Sequence, residues 1–399
     1  MNNLNQTPMS DRTHIAFFGV RNAGKSSLIN AITGQELAIV SSVPGTTTDP
    51  VYKAMELLPL GPVVLIDTPG IDDSGELGAQ RVKKTHQTLN KTDAAVLVAD
   101  ANCELSKVDE ELIELIKEKK IPYIIALNKS DLLLGKDENR GAEYVAVSAL
   151  TGHGIHELKE RITAMCMNEE PQNRLVADLI NPSDFVVLVT PIDRAAPKGR
   201  LILPQQQVIR DILEANAVSI VTKECELKNV LKNLSKKPRM VITDSQVFDK
   251  VAADTPQDIL LTSFSILMAR YKGLLDNAVK SVSAIEHLND GDKVLIAEGC
   301  THHRQCDDIG AVKLPQWIKN YTNKTLEFCF CSGVGFPSDL AKYKLIVHCG
   351  CCMLNTREMQ NRAQMAKRAG IPMTNYGILI AAMQGILKRS IEVFPHLNG

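Results

Sequence analysis

Three features of the 399-residue chain point to an α/β protein built in parts. Short apolar runs alternate with helix-patterned stretches along most of its length. At the first run, Gly19-Val20-Arg21-Asn22-Ala23-Gly24-Lys25-Ser26 joins a strand to a helix. The cysteines set the last third apart: Cys103, Cys166 and Cys225 precede residue 300, and seven lie between Cys300 and Cys352. The length exceeds one ordinary hydrophobic core, so two or three domains are expected.

Residues 1–12 are polar and lack the apolar core of a secretory signal, so they read as a flexible N-terminus. Over 13–168, HIAFFGV, VVLIDTPG, AAVLVAD and PYIIALNK read as buried parallel strands with helices between them. That pattern is a doubly wound α/β domain. The polar, proline-containing stretch Asn168–Arg174 reads as a linker. Over 175–271 the alternation repeats more weakly, with FVVLVTPI, AVSIVTK and RMVITD as strands. No motif there carries chemistry of its own. The last part, 272–399, opens with a helix near Lys272–His287 and the strand KVLIAE. Strands around FCFC and LIVHC follow, then two helices after Thr356. The long uncharged run Ala369–Leu387 holds Pro372, Asn375 and Gln384, and reads as a buried helix rather than a membrane span.

A formal net charge of −1 gives no electrostatic footprint for nucleic acid. The Lys-rich stretch 223–239 reads as a solvated helix face. Ten cysteines in a chain without a signal suggest a cytoplasmic protein with metal or redox chemistry, not a disulfide framework.

The first motif has the form G-x-x-x-x-G-K-S. Its glycines let backbone amides turn toward phosphate oxygens, and the helix start adds a favourable dipole. Asn22, Ala23, Gly24, Lys25, Ser26 and Ser27 are therefore nucleotide-binding candidates. Lys25 would neutralise the β- and γ-phosphates and Ser26 would hold Mg²⁺. Asp67-Thr68-Pro69-Gly70 ends a strand, so Asp67 can reach the metal through water and the Gly70 amide can meet the γ-phosphate. Asn128-Lys129-Ser130-Asp131 ends another. The Asp131 carboxylate can accept two hydrogen bonds from guanine, a donor pair adenine lacks, and so selects GTP. Ser148 and Ala149 would complete the base pocket.

In this order and spacing the set resembles the translation-factor-like GTPases, and within them the Era and TrmE branch. Gly45-Thr46-Thr47-Thr48-Asp49 resembles that branch's first switch. The likeness makes Thr47 the second Mg²⁺ ligand, with Thr46 or Thr48 open by a one-residue slip. It also makes Asn22 a K⁺ ligand. Ile71 stands where Ras-like proteins place a water-positioning Gln. A cation at Asn22 would then neutralise transition-state charge. Asp73 and Glu76 can orient water or serve as ordinary surface charges.

Cys300-Thr301-His302 follows the strand KVLIAEG, and His348-Cys349-Gly350-Cys351-Cys352 follows KLIVH. Both groups sit just beyond strand ends, where sites form in α/β folds. Cys300, Cys349 and Cys352 can grip one metal centre, with the C-x-x-C turn aiming two sulfurs together. A helix opening near Asn355 or Thr356 would favour an anionic thiolate site. Ligand type alone leaves zinc, an iron–sulfur cluster and no metal all open. Cys306, Cys329 and Cys331 read as packed thiols.

The pattern C-x-H, then H-C-x-x-C, joined to an N-terminal GTPase, resembles the HydF family of FeFe-hydrogenase maturation GTPases. DFVVLVTPIDRAAPKGRLILPQQQ and DKVLIAEGCTHHRQCDDIG are also similar to that family. The resemblance covers nearly the whole chain. It implies a P-loop GTPase domain, a middle α/β dimerisation-type domain and a C-terminal α/β iron–sulfur cluster domain. It further implies a 4Fe–4S cluster on Cys300, Cys349 and Cys352 with an exchangeable fourth ligand. His302, His348, Glu298, Cys351 or water would supply that ligand or sit just behind it. The family's role is to receive a di-iron precursor from radical-SAM maturases and deliver it to apo-FeFe-hydrogenase, as a homo-oligomer read here as a dimer. Two other classes stand beside it: an Era-type GTPase on ribosome or tRNA, and a zinc metallochaperone.

Overall fold

The computed structural model describes residues 7–34, 49–70, 76–133, 141–167, 174–192, 201–299 and 308–397. It divides into two compact units, Met1–Pro171 and Gln172–Gly399.

The first unit holds a six-stranded sheet. Its strands are β1 (Thr13–Phe18), β2 (Val51–Leu57), β3 (Gly61–Asp67), β4 (Ala94–Asp100), β5 (Tyr123–Asn128) and β6 (Tyr144–Ala146). They lie in the order β2-β3-β1-β4-β5-β6, all parallel except β2, which runs antiparallel to β3. Both faces of β1, β3 and β4 are buried, which is why those runs read as continuously apolar. Helices α1 (Lys25–Thr33), α2 (Glu76–Leu89), α3 (Lys107–Glu118) and α4 (Ile155–Met167) cover the faces. Ile15 and Phe17 pack with Leu28 and Ile29 of α1 and Leu158 and Ile162 of α4. Ala16 and Phe18 point the other way, to Leu89 of α2 and Leu112 and Ile116 of α3. The loop after β1 therefore opens where the strand order reverses, the place at which such sheets bind ligands.

The second unit carries two four-stranded parallel sheets. One has β7 (Phe185–Val189), β8 (Val218–Thr222), β9 (Met240–Thr243) and β10 (Leu260–Ser263), in the order β10-β9-β7-β8. The other has β11 (Lys293–Glu298), β12 (Glu327–Ser332), β13 (Leu345–His348) and β14 (Met373–Asn375), in the order β12-β11-β13-β14. The two sheets lie on either side of residue 271 in the chain. One buried cluster runs from Leu175 to Phe394 and includes residues of both sheets. Polar ties reinforce it: the Asn375 side chain donates to the Ser265 carbonyl at 2.7 Å, and Thr374 Oγ1 to the Ala278 carbonyl at 2.9 Å.

The run Ala369–Leu387 departs from the single helix expected. It splits into β14 and a short helix, Tyr376–Met383. Pro372 disfavours helix at the residue before it, and the Asn375 side chain caps the helix by accepting the Ile378 amide. No helix among the described residues is long and apolar enough to cross a membrane.

Candidate functional site

In the first unit the phosphate-loop motif bends through three positive-φ residues, Gly19, Asn22 and Gly24. A Cβ at Gly19 would lie 2.2 Å from the Val98 carbonyl oxygen, so the turn requires glycine there. Ala23 is buried, and Lys25 and Ser26 open α1, with Ser27 one residue further in. The Lys25 ammonium donates to the Gly19 and Val20 carbonyls at 3.0 and 2.8 Å, so it lies over the loop. Ser26 Oγ donates to Asp67 Oδ2 at 2.5 Å. Burial pushes the Asp67 carboxyl above its usual range, opposed by Ser26, Lys25 and Lys53. Thr68 Oγ1 donates to the Phe17 carbonyl, tying the Asp67–Gly70 segment to β1. Gly70 comes so close to the backbone of Arg21 that a Cβ would sit 2.9 Å away.

The base-pocket residues form a second connected set. The buried Asn128 side chain donates to the Ala23 carbonyl at 2.9 Å and accepts the Ala149 amide at 3.0 Å. It thus joins the phosphate loop to the loop after β6. Ser148 Oγ donates to Asp131 Oδ1 at 2.5 Å, and Lys129 pairs with Asp100 at 2.7 Å. Thr47 and its neighbours Thr46 and Thr48, Ile71, Asp73 and the side chain of Glu76 lie outside the described residues. Lys53 was not legible as a site residue. Its ammonium donates to Asn30 Oδ1 at 3.0 Å and acts on Asp67 across the β2–β3 pair. Only that strand pairing brings a residue of β2 to α1 and β3.

In the second unit Cys300, His302 and Cys306 lie outside the described residues. Beyond β13, His348, Cys349 and Cys351 converge, with one ligand atom from each within 4.8 Å of the others. The Cys349 sulfur accepts the Gly299 amide at 3.1 Å and the Cys351 amide at 3.4 Å. The facing Cys351 thiol, His348 and the Gly299 amide, against the effect of burial, hold the Cys349 thiol well below its usual range. Burial holds Cys351 well above. Amide donors around a thiolate suit a sulfur that ligates metal. Gly299 permits the approach, since a Cβ there would meet Leu354 at 3.1 Å and Cys351 Cα at 3.4 Å.

Cys351 has φ of 60°. That left-handed residue turns its sulfur back toward His348 Nδ1, 2.9 Å away, and the Cys349 carbonyl, 2.8 Å away. The close group is His348, Cys349 and Cys351, and the half-buried Cys352 packs, like Cys349, against the main core. Asn355 caps helix Thr356–Arg368 by accepting the Glu358 amide at 3.1 Å. Glu298 is buried at the end of β11 with the Tyr376 hydroxyl 3.4 Å away. Cys329 and Cys331 are half-buried thiols on β12. Arg362, on the helix after Asn355, was missed from the sequence and is 1% exposed. A small pocket opens beside the Cys349–Cys351 turn, lined also by Lys272, Met359 and Asn375.

Three family models match the chain. A hydrogen maturase F tetramerization domain covers residues 276–393, and a hydrogen maturase F dimerization domain covers 175–273. A 50S ribosome-binding GTPase domain covers 14–129. Among curated proteins, the tRNA modification GTPase MnmE of Clostridioides difficile is 36% identical over 37% of this chain and 33% of its own length. GTPase Der of Clostridium perfringens is 32% identical over 42% of each. The chain thus spans less than half the length of these relatives. Among solved structures, Era of Aquifex aeolicus aligns with a TM-score of 0.36 and 23% identity, over 52% of this chain and 91% of that one.

Proposed function

This chain belongs to the hydrogen maturase F family, and we propose that it is a GTP-hydrolysing scaffold that holds a 4Fe–4S cluster and carries a di-iron precursor to apo-FeFe-hydrogenase. The observation that supports it best is the pairing of a GTPase domain with two hydrogen maturase F domains, the second of which carries the Cys349 sulfur among the Gly299 and Cys351 amides. MnmE and Der align over 37% and 42% of this chain, and the tRNA modification in MnmE's name is not carried over to it.

In the first unit Ser26, with Thr47, would hold Mg²⁺, and Lys25 and the Gly70 amide would face the γ-phosphate. Asp131, oriented by Ser148, would read guanine. Asn22, already left-handed, would hold K⁺ and speed hydrolysis. In the second unit Cys300, Cys349 and Cys352 would hold the cluster. When bound, it offers one iron for ligand exchange. Gly299 and Cys351 supply amide hydrogen bonds to Cys349. Glu298, His302 or water would complete the non-thiolate position. The Cys351 sulfur lies against His348 Nδ1 and the Cys349 carbonyl.

Homo-oligomerisation fits both matched assembly domains. The strand β8 is a sheet edge with Val218 and Val221 exposed at 41% and 45%. An uncharged apolar edge of this kind is a pairing surface. Partner proteins would be radical-SAM maturases upstream and the apo-hydrogenase downstream.

Anaerobic reconstitution tests the cluster reading. Wild-type protein should take up about four irons with broad visible absorption. Cys300→Ser, Cys349→Ser and Cys352→Ser should each lose most of it, while Cys103→Ser and Cys225→Ser retain it. A triple variant at residues 300, 349 and 352 that still loads fully would overturn the assignment.

A further inference from the structure

Among the described residues Arg362 is the largest fully buried side chain, and it belongs to no part of the nucleotide or thiolate sets. Four contacts fix it. Its Nε donates to Glu358 Oε1 at 2.8 Å, and its Nη2 to the Gly333 carbonyl at 2.6 Å. Its guanidinium lies 4.9 Å from the Phe336 ring centre. Its Nη1 lies 3.0 Å from His348 Nε2. Phe336 in turn stacks on His348, with centroids 6.3 Å apart and planes at 28°.

A guanidinium has donors only, so His348 Nε2 must accept. The neutral ring then carries its hydrogen on Nδ1, which faces Cys351 Sγ at 2.9 Å. Cys351 Sγ continues the chain to the Cys349 carbonyl at 2.8 Å. Every step from Arg362 to Cys349 runs in one donor direction. No lone pair of the imidazole is left for a metal: one nitrogen accepts from Arg362 and the other bears hydrogen toward sulfur.

We propose that Arg362 is a positioning residue that commits His348 to donate to Cys351, and so shapes the Cys349–Cys352 turn instead of letting His348 ligate iron. The cluster part of this rests on the proposed function; the ring's hydrogen placement does not. Without Arg362 the imidazole can turn over, Cys351 loses its donor, and the turn that carries two thiolates loosens. Residues that hold ligands in place are worth about 10- to 100-fold in metal affinity.

The first measurement uses the cluster-free full chain labelled with ¹⁵N-histidine. Long-range ¹H–¹⁵N correlation should show His348 protonated at Nδ1 in wild type and a mixture of tautomers in Arg362→Met. Protonation at Nε2 in wild type would overturn the proposal, whatever the cluster does. The second compares His348→Asn, whose side-chain amide replaces the Nδ1–H donor, with His348→Val on reconstituted protein. His348→Asn should keep the full iron content and the same ¹⁵N couplings in the reduced cluster's ENDOR spectrum as wild type. His348→Val and Arg362→Met should release iron to a chelator about 10- to 100-fold more readily. A strong ¹⁵N coupling present in wild type and lost in His348→Asn would make His348 a ligand and refute the proposal. Failure of wild type to load any cluster would remove the reading beneath it and leave the tautomer result standing.

Discussion

Replacing Asn128 by alanine removes two buried hydrogen bonds at once. The side chain donates to the Ala23 carbonyl and accepts the Ala149 amide, at 2.9 and 3.0 Å. One end lies in the phosphate loop and the other beside the base-pocket residue Ser148. Truncation leaves both backbone groups without that partner in a buried place. Each such orphan costs about 1–3 kcal/mol, and partial relief by water brings the pair to about 2–4 kcal/mol. If the loops relax in the free protein, nucleotide binding has to restore them, and the cost appears in Kd. At about 1.4 kcal/mol per decade that is a 30- to 700-fold weaker affinity for GTP and GDP. Asn128→Asp keeps the acceptor for Ala149 but places a carboxylate against the Ala23 carbonyl, so it should be at least as damaging. The assay is titration of a fluorescent guanine nucleotide into the full chain with Mg²⁺. Affinity within threefold of wild type in Asn128→Ala would show that this bridge does not organise the site.

Further outcomes follow from the same geometry. Asp131→Asn should weaken GTP and favour xanthosine nucleotides, read by competition binding; Asn can still accept from Ser148, so the fold should hold. Hydrolysis should be faster in KCl than in NaCl, with the difference lost in Asn22→Ala; equal rates in both salts would remove the cation from the mechanism. Val221→Lys places a charge on the β8 edge and should lower the solution mass measured by light scattering. An unchanged mass would move the assembly surface elsewhere.

Much of the nucleotide unit is local in sequence, and that is why it could be read. Its strands are buried on both faces, and its loops need glycine for backbone reasons, as at Gly19. The second unit is held by long-range ties that leave no local trace. Ser265 reaches Asn375 and Gly377, more than a hundred residues on, and one buried cluster takes in residues of both sheets. The run Ala369–Leu387 is uncharged and mostly apolar, and burial alone does not distinguish a strand from a helix. Cys351 shows the same limit. The spacing of Cys349 and Cys352 is legible, but the left-handed residue between them, which turns a third sulfur toward His348, is not. Arg362 reads as one more basic residue on an amphipathic helix; its partners Gly333, Phe336 and His348 come from β13 and the segment after β12.

The carrier role itself is tested by activation. Protein isolated from cells that also make the radical-SAM maturases would be mixed anaerobically with apo-FeFe-hydrogenase, and hydrogen evolution measured. Wild type should activate the enzyme, Cys349→Ser should not, and Cys103→Ser should match wild type. Equal activation by wild type and Cys349→Ser would contradict a carrier built on the cysteine site of the second unit.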